Sequence, residues 1–281
     1  MKKLLAYLFV FFLGVGCKSN SDAAKQLTDY DLTKPEKFIM PESLLEISGI
    51  TFYNGKNDTI YAIQDEEGKV FRVALGLKKQ WHTKFGKQGD YEDLTILHDK
   101  VVILQSNGTF YVLPFEDAIY VEADTVQEFK KVLPTGEYES LYGDAATGNM
   151  FIICKNCPSD DNKDKVSGYI LDVENLSAAP KNFSIDVESI KHFTGKVKRG
   201  FRPSGLAKNP ITNEWYIISA VNQLLVVADS NWTVKDAYPL NGAIFNQPEG
   251  IVFDMEGNLY ISNEGDDLST GNILKFKKVK K

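Results

Sequence analysis

The sequence has little of what most enzyme chemistry draws on. Three histidines occur among 281 residues, His82, His98 and His192. None lies in the repeated motif described below, so each reads as a surface residue and histidine-based acid–base catalysis has little material. The three cysteines are Cys17, Cys154 and Cys157. No second pair accompanies Cys154-Lys155-Asn156-Cys157, which leaves a four-ligand zinc site incomplete. There is no G-x-S-x-G elbow and no glycine-rich phosphate loop. No long segment repeats its apolar residues at a period of 3.6, so long amphipathic helices are not expected. The longest apolar run, Leu4 to Val15, has twelve residues and is too short to cross a bilayer comfortably. Positive charge is also short: 32 Lys and Arg face 38 Asp and Glu, a net −6. That balance argues against nucleic acid and against anionic lipid surfaces as partners.

What the chain does have is a phrase that recurs five times, each time opening a run of strand-like segments. It reads Ile47-Ser48-Gly49-Ile50, Tyr91-Glu92-Asp93-Leu94, Tyr138-Glu139-Ser140-Leu141, Pro203-Ser204-Gly205-Leu206 and Pro248-Glu249-Gly250-Ile251. Its second residues, Ser48, Glu92, Glu139, Ser204 and Glu249, stand 44, 47, 65 and 45 residues apart. After each phrase come short β-branched and aromatic stretches divided by Asp, Asn and Gly turns, such as Thr59 to Ile63 and Lys69 to Val73. A strand-bearing repeat of this length marks the blade of a β-propeller. The expected fold is all-β with five blades, six being the alternative. Blade five runs out of chain after three strands, so Glu36 to Met40 is expected to supply its fourth and close the ring. Tyr61, Tyr111, Phe151, Tyr216 and Tyr260 fall at repeating positions and read as packing between blades.

Residues 1–16 resemble a secretory signal: Lys2 and Lys3, the apolar run, then Gly14-Val15-Gly16 before Cys17. Cys17 is the expected lipidation site of a lipoprotein, although Gly14 stands where such sites usually carry Leu, Val or Ile. Residues 17–35 are polar and read as a flexible tether, leaving residues 36–281 as the propeller. This predicts an exported protein held at the bacterial envelope by lipid, on the periplasmic side or at the outer membrane. In an exported protein Cys154 and Cys157 read as a local structural disulfide. They stand at the head of an insertion that lengthens blade three.

One fixed place in every blade maps to one ring around the channel. Three carboxylates there, Glu92, Glu139 and Glu249, would repel one another unless met by protons, basic groups or a cation. The matching places in the other blades hold Ser48 and Ser204, small positions lining the channel. Arg202, two residues before Ser204, is the basic group expected to compete with a metal. A hard divalent cation, Ca²⁺ above all, would take oxygens from the glutamates, with Asp65 and Asn263 adding more if the loops after the second strands turn toward the same mouth.

The ordered set Glu46-Ile47-Ser48-Gly49-Ile50, Tyr91-Glu92-Asp93-Leu94, Arg202-Pro203-Ser204-Gly205-Leu206, Gln247-Pro248-Glu249-Gly250-Ile251 and Ile261-Ser262-Asn263-Glu264-Gly265 resembles the SdiA-regulated (YjiK-like) family. The resemblance spans about Phe38 to Phe276. It implies a five-bladed propeller, distantly NHL-like, with bound calcium and no established activity. Two functions follow as expectations. One is a calcium-bearing module that binds or senses a small molecule, glycan or protein. The other is a metal-dependent hydrolase of lactones or esters. Phosphate esters fit less well, because only Arg202, Lys198 and Arg199 stand near the ring.

Overall fold

A computed structural model describes residues 27–77 and 79–279. The signal and Cys17 expectations fall outside the described residues.

β1 (Glu36–Ile39) is followed by blade one: β2 (Ile47–Phe52), β3 (Ile60–Gln64), β4 (Glu67–Val73) and β5 (Gln80–Gln88). Blade two comprises β6 (Tyr91–Leu97), β7 (Lys100–Gln105), β8 (Phe110–Pro114) and β9 (Gln127–Phe129). Blade three comprises β10 (Glu137–Asp144), β11 (Asn149–Asn156), β12 (Lys165–Asp172) and β13 (Lys181–Asp186). Blade four is β14 (Gly205–Lys208), β15 (Trp215–Ser219), β16 (Leu224–Ala228) and β17 (Val234–Pro239). Blade five is β18 (Pro248–Phe253), β19 (Leu259–Asn263) and β20 (Asn272–Phe276), and its outer strand is β1. Every blade is a four-stranded antiparallel sheet. Phe38 pairs with Ile273 and Ile39 with Asn272, so the N-terminal strand closes the ring as expected. The first strands of successive blades, β2, β6, β10, β14 and β18, touch in a closed cycle around the axis.

Strand formation follows the sequence locally. Val101 to Leu104 and Leu224 to Ala228 are apolar and buried on both sides, as strands covered by neighbouring blades must be. Packing between blades is strongly aromatic. Trp232 stacks on Phe183 at 3.7 Å and on Trp215 at 4.3 Å, filling the joint between blades three and four. The insertion of blade three adds the short helix α1 (Val187–Thr194), capped by Asp186, whose side chain accepts from Glu188 N. Val187 and Ile190 of α1 bury themselves against β17. Among the described residues no helix is long and apolar enough to cross a membrane.

The boundary expected for the tether needs correction. Leu27 and Tyr30 are buried in the core shared by blades four and five. The Tyr30 hydroxyl donates to Gly257 O at 2.7 Å and accepts from Asn209 Nδ2 at 3.0 Å. The stretch reads as polar because its two anchors stand among charged neighbours, but they bury enough surface to dock it. The folded unit therefore begins before Glu36.

Candidate functional site: an acidic channel mouth

Each recurring phrase sits where the first strand of a blade begins. In four blades the ladder slips by one residue at that point. Tyr91 pairs with Gln105 but Asp93 with Leu104, which leaves Glu92 unpaired. Tyr138 pairs with Cys154 but Ser140 with Ile153, which leaves Glu139 unpaired. The same slip occurs between Ile47 and Ile50 and between Pro248 and Ile251. A β-bulge of this kind re-aims a side chain and frees backbone groups from the ladder.

The freed backbone is taken up by neighbouring blades. Ser262 Oγ donates to Ser48 O at 2.6 Å, Ser48 Oγ to Glu92 O at 2.6 Å, and Ser204 Oγ to Pro248 O at 2.7 Å. Asp93, fully buried, accepts from Leu94 N and from Leu141 N of the next blade. Burial pushes its carboxyl well up, and these two donors oppose that rise. The approach is close enough to need glycine: a Cβ on Gly49 would meet Asp93 Oδ1 at 2.2 Å, and one on Gly250 would meet Ser48 O at 2.6 Å. Ser48 and Ser204 were expected as small lining positions, and their hydroxyls are instead committed to blade-to-blade bonds. Arg202 holds the same level through its backbone. Its N–H donates to Asn222 Oδ1 at 3.0 Å, and its carbonyl accepts from Ser219 Oγ.

The acidic residues gather at this mouth. Glu92, Glu139 and Glu249 come from β6, β10 and β18, and Asp65 and Asn263 from the ends of the paired second strands. Three buried side-chain oxygens in this group lack a hydrogen-bond partner: Asp65 Oδ1, Glu139 Oε2 and Asn263 Oδ1. Burial pushes the Glu92 carboxyl up to about 9, helped by the negative charges of Asp90 and Glu249. Burial pushes Glu249 to about 7, with Lys155 opposing the rise. Glu264 rises to about 7 through burial and the charge of Glu249, and Asp65 to about 6 through burial and Glu46. Acids this crowded hold protons or attract cations.

Two members were not singled out from the sequence. Glu264 follows Asn263 directly and bonds Gln247 through its carboxylate. Lys155 is the basic group at the mouth: its ammonium pairs with Glu139 Oε1 and lies 3.8 Å from Glu137 Oε1. The signal for Lys155 was its place in Cys154-Lys155-Asn156-Cys157. β11 carries one residue more than β10 can pair there, and Lys155 is that residue. Cys154 and Cys157 are joined by a disulfide, with their Cα atoms 6.0 Å apart. Among the described residues, the one set of three Cys, His or carboxylate ligand atoms within 4.8 Å of one another is Cys154, Cys157 and Asp160. Both sulfurs there are bonded to each other, so that set is not free to ligate. No three carboxylates of the mouth bring their oxygens within 4.8 Å of one another among the described residues, so an ion held by all of them would have to draw them in.

The far mouth differs in character. A cavity of about 240 Å³ opens there, lined by the fourth residue of every phrase, from Ile50 to Ile251, together with Asn54, Lys208 and Asp254. The histidines take no part at the acidic mouth. His82 lies on outer strand β5, His98 sits in the turn after β6 with Nδ1 3.6 Å from Glu174, and His192 lies on α1.

Fold and site together define a five-bladed, all-β propeller with one acidic channel mouth and one of mixed lining. No family model and no curated protein sequence matches the chain. Solved structures match in fold. The glutaminyl cyclase of Myxococcus xanthus superposes with a TM-score of 0.55 at 11% identity, over 87% of this chain and 96% of that one. A luciferin-regenerating enzyme gives 0.53 at 11%, over 87% and 95%. Regucalcin of Agrobacterium tumefaciens str. C58, described as a calcium-binding protein, gives 0.51 at 11%, over 89% and 94%. At such identities the likeness is one of fold alone.

Proposed function

We propose that the acidic mouth binds a hard divalent cation, calcium above all, and that the loaded propeller serves as a binding or sensing module. Glu92, Glu139, Glu249, Asp65 and Asn263 would hold the ion. The observation that carries this reading is the set of three buried, unpartnered oxygens, Asp65 Oδ1, Glu139 Oε2 and Asn263 Oδ1, beside carboxylates raised by burial and by one another. Calcium takes six to eight oxygens at roughly 2.3–2.6 Å and accepts carboxylates and amide carbonyls alike. The donor set is all oxygen, with no nitrogen or thiolate ligand to favour a softer metal. The fold likeness to a protein described as calcium-binding agrees with this reading. So does the resemblance to the SdiA-regulated (YjiK-like) propellers, with which we propose the chain belongs.

A lipid on Cys17 would tether the propeller to the bacterial envelope and leave its faces free for a small molecule, glycan or protein. The mouth carries no histidine base, which favours binding over hydrolysis, although Ser204 bonds the Glu249 carboxylate as well as Pro248 O. Hydrolysis of a lactone or ester is the second reading. It is favoured by one observation: with no cation at the mouth, burial and neighbouring charge raise the Glu92 carboxyl to about 9, so that it can carry a proton to donate.

The test is calorimetric titration of Ca²⁺ into the chelator-stripped protein beside a Glu92→Gln/Glu249→Gln double variant. Saturable one-site binding that the variant loses supports the reading. Absence of binding in the wild type refutes it. Lactones and esters are then offered to the loaded protein, and turnover lost in Glu92→Gln would move the assignment to a hydrolase.

A further inference from the structure

Lys155 is held in place more firmly than a surface lysine has reason to be. It is the extra residue of a bulge in β11, one pair along the ladder from the bulge that presents Glu139. The disulfide between Cys154 and Cys157 closes the turn around it, and both cysteines are buried. Its carbonyl accepts from Asn162 Nδ2 at 2.8 Å, and the same amide reaches Phe201 O at 3.0 Å. The insertion of blade three thereby braces the backbone from behind. The side chain is 19% exposed and its ammonium rests on Glu139 Oε1. Among the described residues no other lysine or arginine pairs with Glu92, Glu139 or Glu249. Glu139 Oε2 is buried and has no partner. Glu139 thus offers one oxygen to the ammonium and keeps the other open.

We infer that Lys155 is a tethered cation that competes with the metal for Glu139 and thereby sets the affinity of the channel site. This rests on the reading of the mouth as a cation site. An ammonium and a divalent ion on one buried carboxylate repel each other at close range, where screening by water is weak. The metal must therefore displace the Lys155 ammonium, or bind with Glu139 shared between them. Either way, its affinity is lower than the oxygen set alone would give. The mouth holds a fixed internal charge of +1, with the disulfide and Asn162 keeping it poised at the carboxylate.

The test compares wild type, Lys155→Gln, Lys155→Arg, Glu139→Gln and the Lys155→Gln/Glu139→Gln pair. Calcium affinity is measured by calorimetry, and thermal unfolding is followed in chelator. Competition predicts that Lys155→Gln binds Ca²⁺ about tenfold or more tightly. Lys155→Arg should stay near wild type, and the gain should vanish in the Glu139→Gln background. Affinity unchanged or weakened in Lys155→Gln, with wild type binding normally, overturns the inference and leaves the mouth intact as a metal site. An equal gain in the Glu139→Gln background also overturns it, because the gain would then not pass through that carboxylate. If no form binds calcium while the chelator cycle still shows coupling between Lys155 and Glu139, the reading of the mouth as a metal site fails, and the competition with it.

Discussion

Replacing Glu92 by glutamine should change the stability of this protein in opposite directions with and without calcium. Glutamine keeps the shape of the side chain and removes its ionisation. In the stripped protein the Glu92 carboxyl titrates near 9, against an ordinary value of 4.5. The folded form therefore binds more protons than the unfolded chain between these two values. Stability falls as pH rises through that window and is level on either side of it. At pH 8 the fold keeps this proton while the unfolded chain releases it, a disadvantage of about 1.4 kcal/mol per pH unit above the unfolded value. The ceiling is then about 5 kcal/mol. Water at the half-open mouth and small side-chain shifts reduce this to about 2 kcal/mol. In chelator at pH 8, Glu92→Gln should raise the melting temperature by about 4–8 °C, and near pH 4.5 the gain should disappear.

With calcium the sign reverses. A ligand held only by the folded form, at a thousand times its dissociation constant, adds about 4.1 kcal/mol. Glu92→Gln would lose most of that. The assay is thermal unfolding of both proteins across pH 4.5–9, with chelator and with Ca²⁺. Stabilisation by Glu92→Gln in both conditions would show that the carboxylate opposes folding without serving a cation. Destabilisation in both would show that the buried acid has partners that the mouth described here lacks.

Glu249→Ala should weaken Ca²⁺ binding at least tenfold and lower the melting temperature in calcium much more than in chelator; equal losses in both would remove Glu249 from the ligand set. Tyr30→Ala should lower stability by about 3–5 kcal/mol, since it empties a site between Tyr216 and Phe253 and strands Asn209 Nδ2; a melting temperature within 2 °C (about 1 kcal/mol) of wild type would mean that the segment does not dock. A Cys154→Ser/Cys157→Ser protein should lose about 2 kcal/mol, the chain-entropy value for so short a loop; an unchanged melting temperature under non-reducing conditions would contradict a bond in solution. Cys17→Ser should move the protein from the membrane to the soluble fraction, and unchanged fractionation would remove the lipid anchor.

The architecture was legible because the propeller repeats itself. Five copies of one phrase, three of the four steps at 44–47 residues and one lengthened to 65 by the insertion of blade three, announce five blades, and the three-strand ending of blade five called for β1. The site was only half legible. Glu92, Glu139 and Glu249 could be placed on one ring because they share a position within the repeat. Lys155 could not, because its position depends on a one-residue slip between β10 and β11 that no periodicity reveals. Ser48 and Ser204 look in sequence like vacant ring positions, and only the packed blades show their hydroxyls reaching the next blade. Tyr30 was hidden for a different reason. Its burial is a matter of tertiary docking, and its neighbours Asp29 and Asp31 give it the appearance of a solvated linker.

The bulge links fold to site. A regular first strand would have every amide and carbonyl in its ladder, and a channel lined by such strands would present only alternating side chains. One extra residue per phrase breaks that pattern at the same height in four of the blades. The released carbonyls of Ser48, Glu92 and Pro248 accept serine hydroxyls from adjoining blades, so the irregularity helps stitch the ring together. The residue left unpaired at the bulge is Glu92 in blade two and Glu139 in blade three, and Glu92 feels the charge of Glu249 from blade five. Serine there completes the stitching, while glutamate there concentrates charge. A mouth built this way crowds charge, because among its glutamates Glu139 is the one with a basic partner. Lys155, on Glu139, is the cation that the chain itself supplies there.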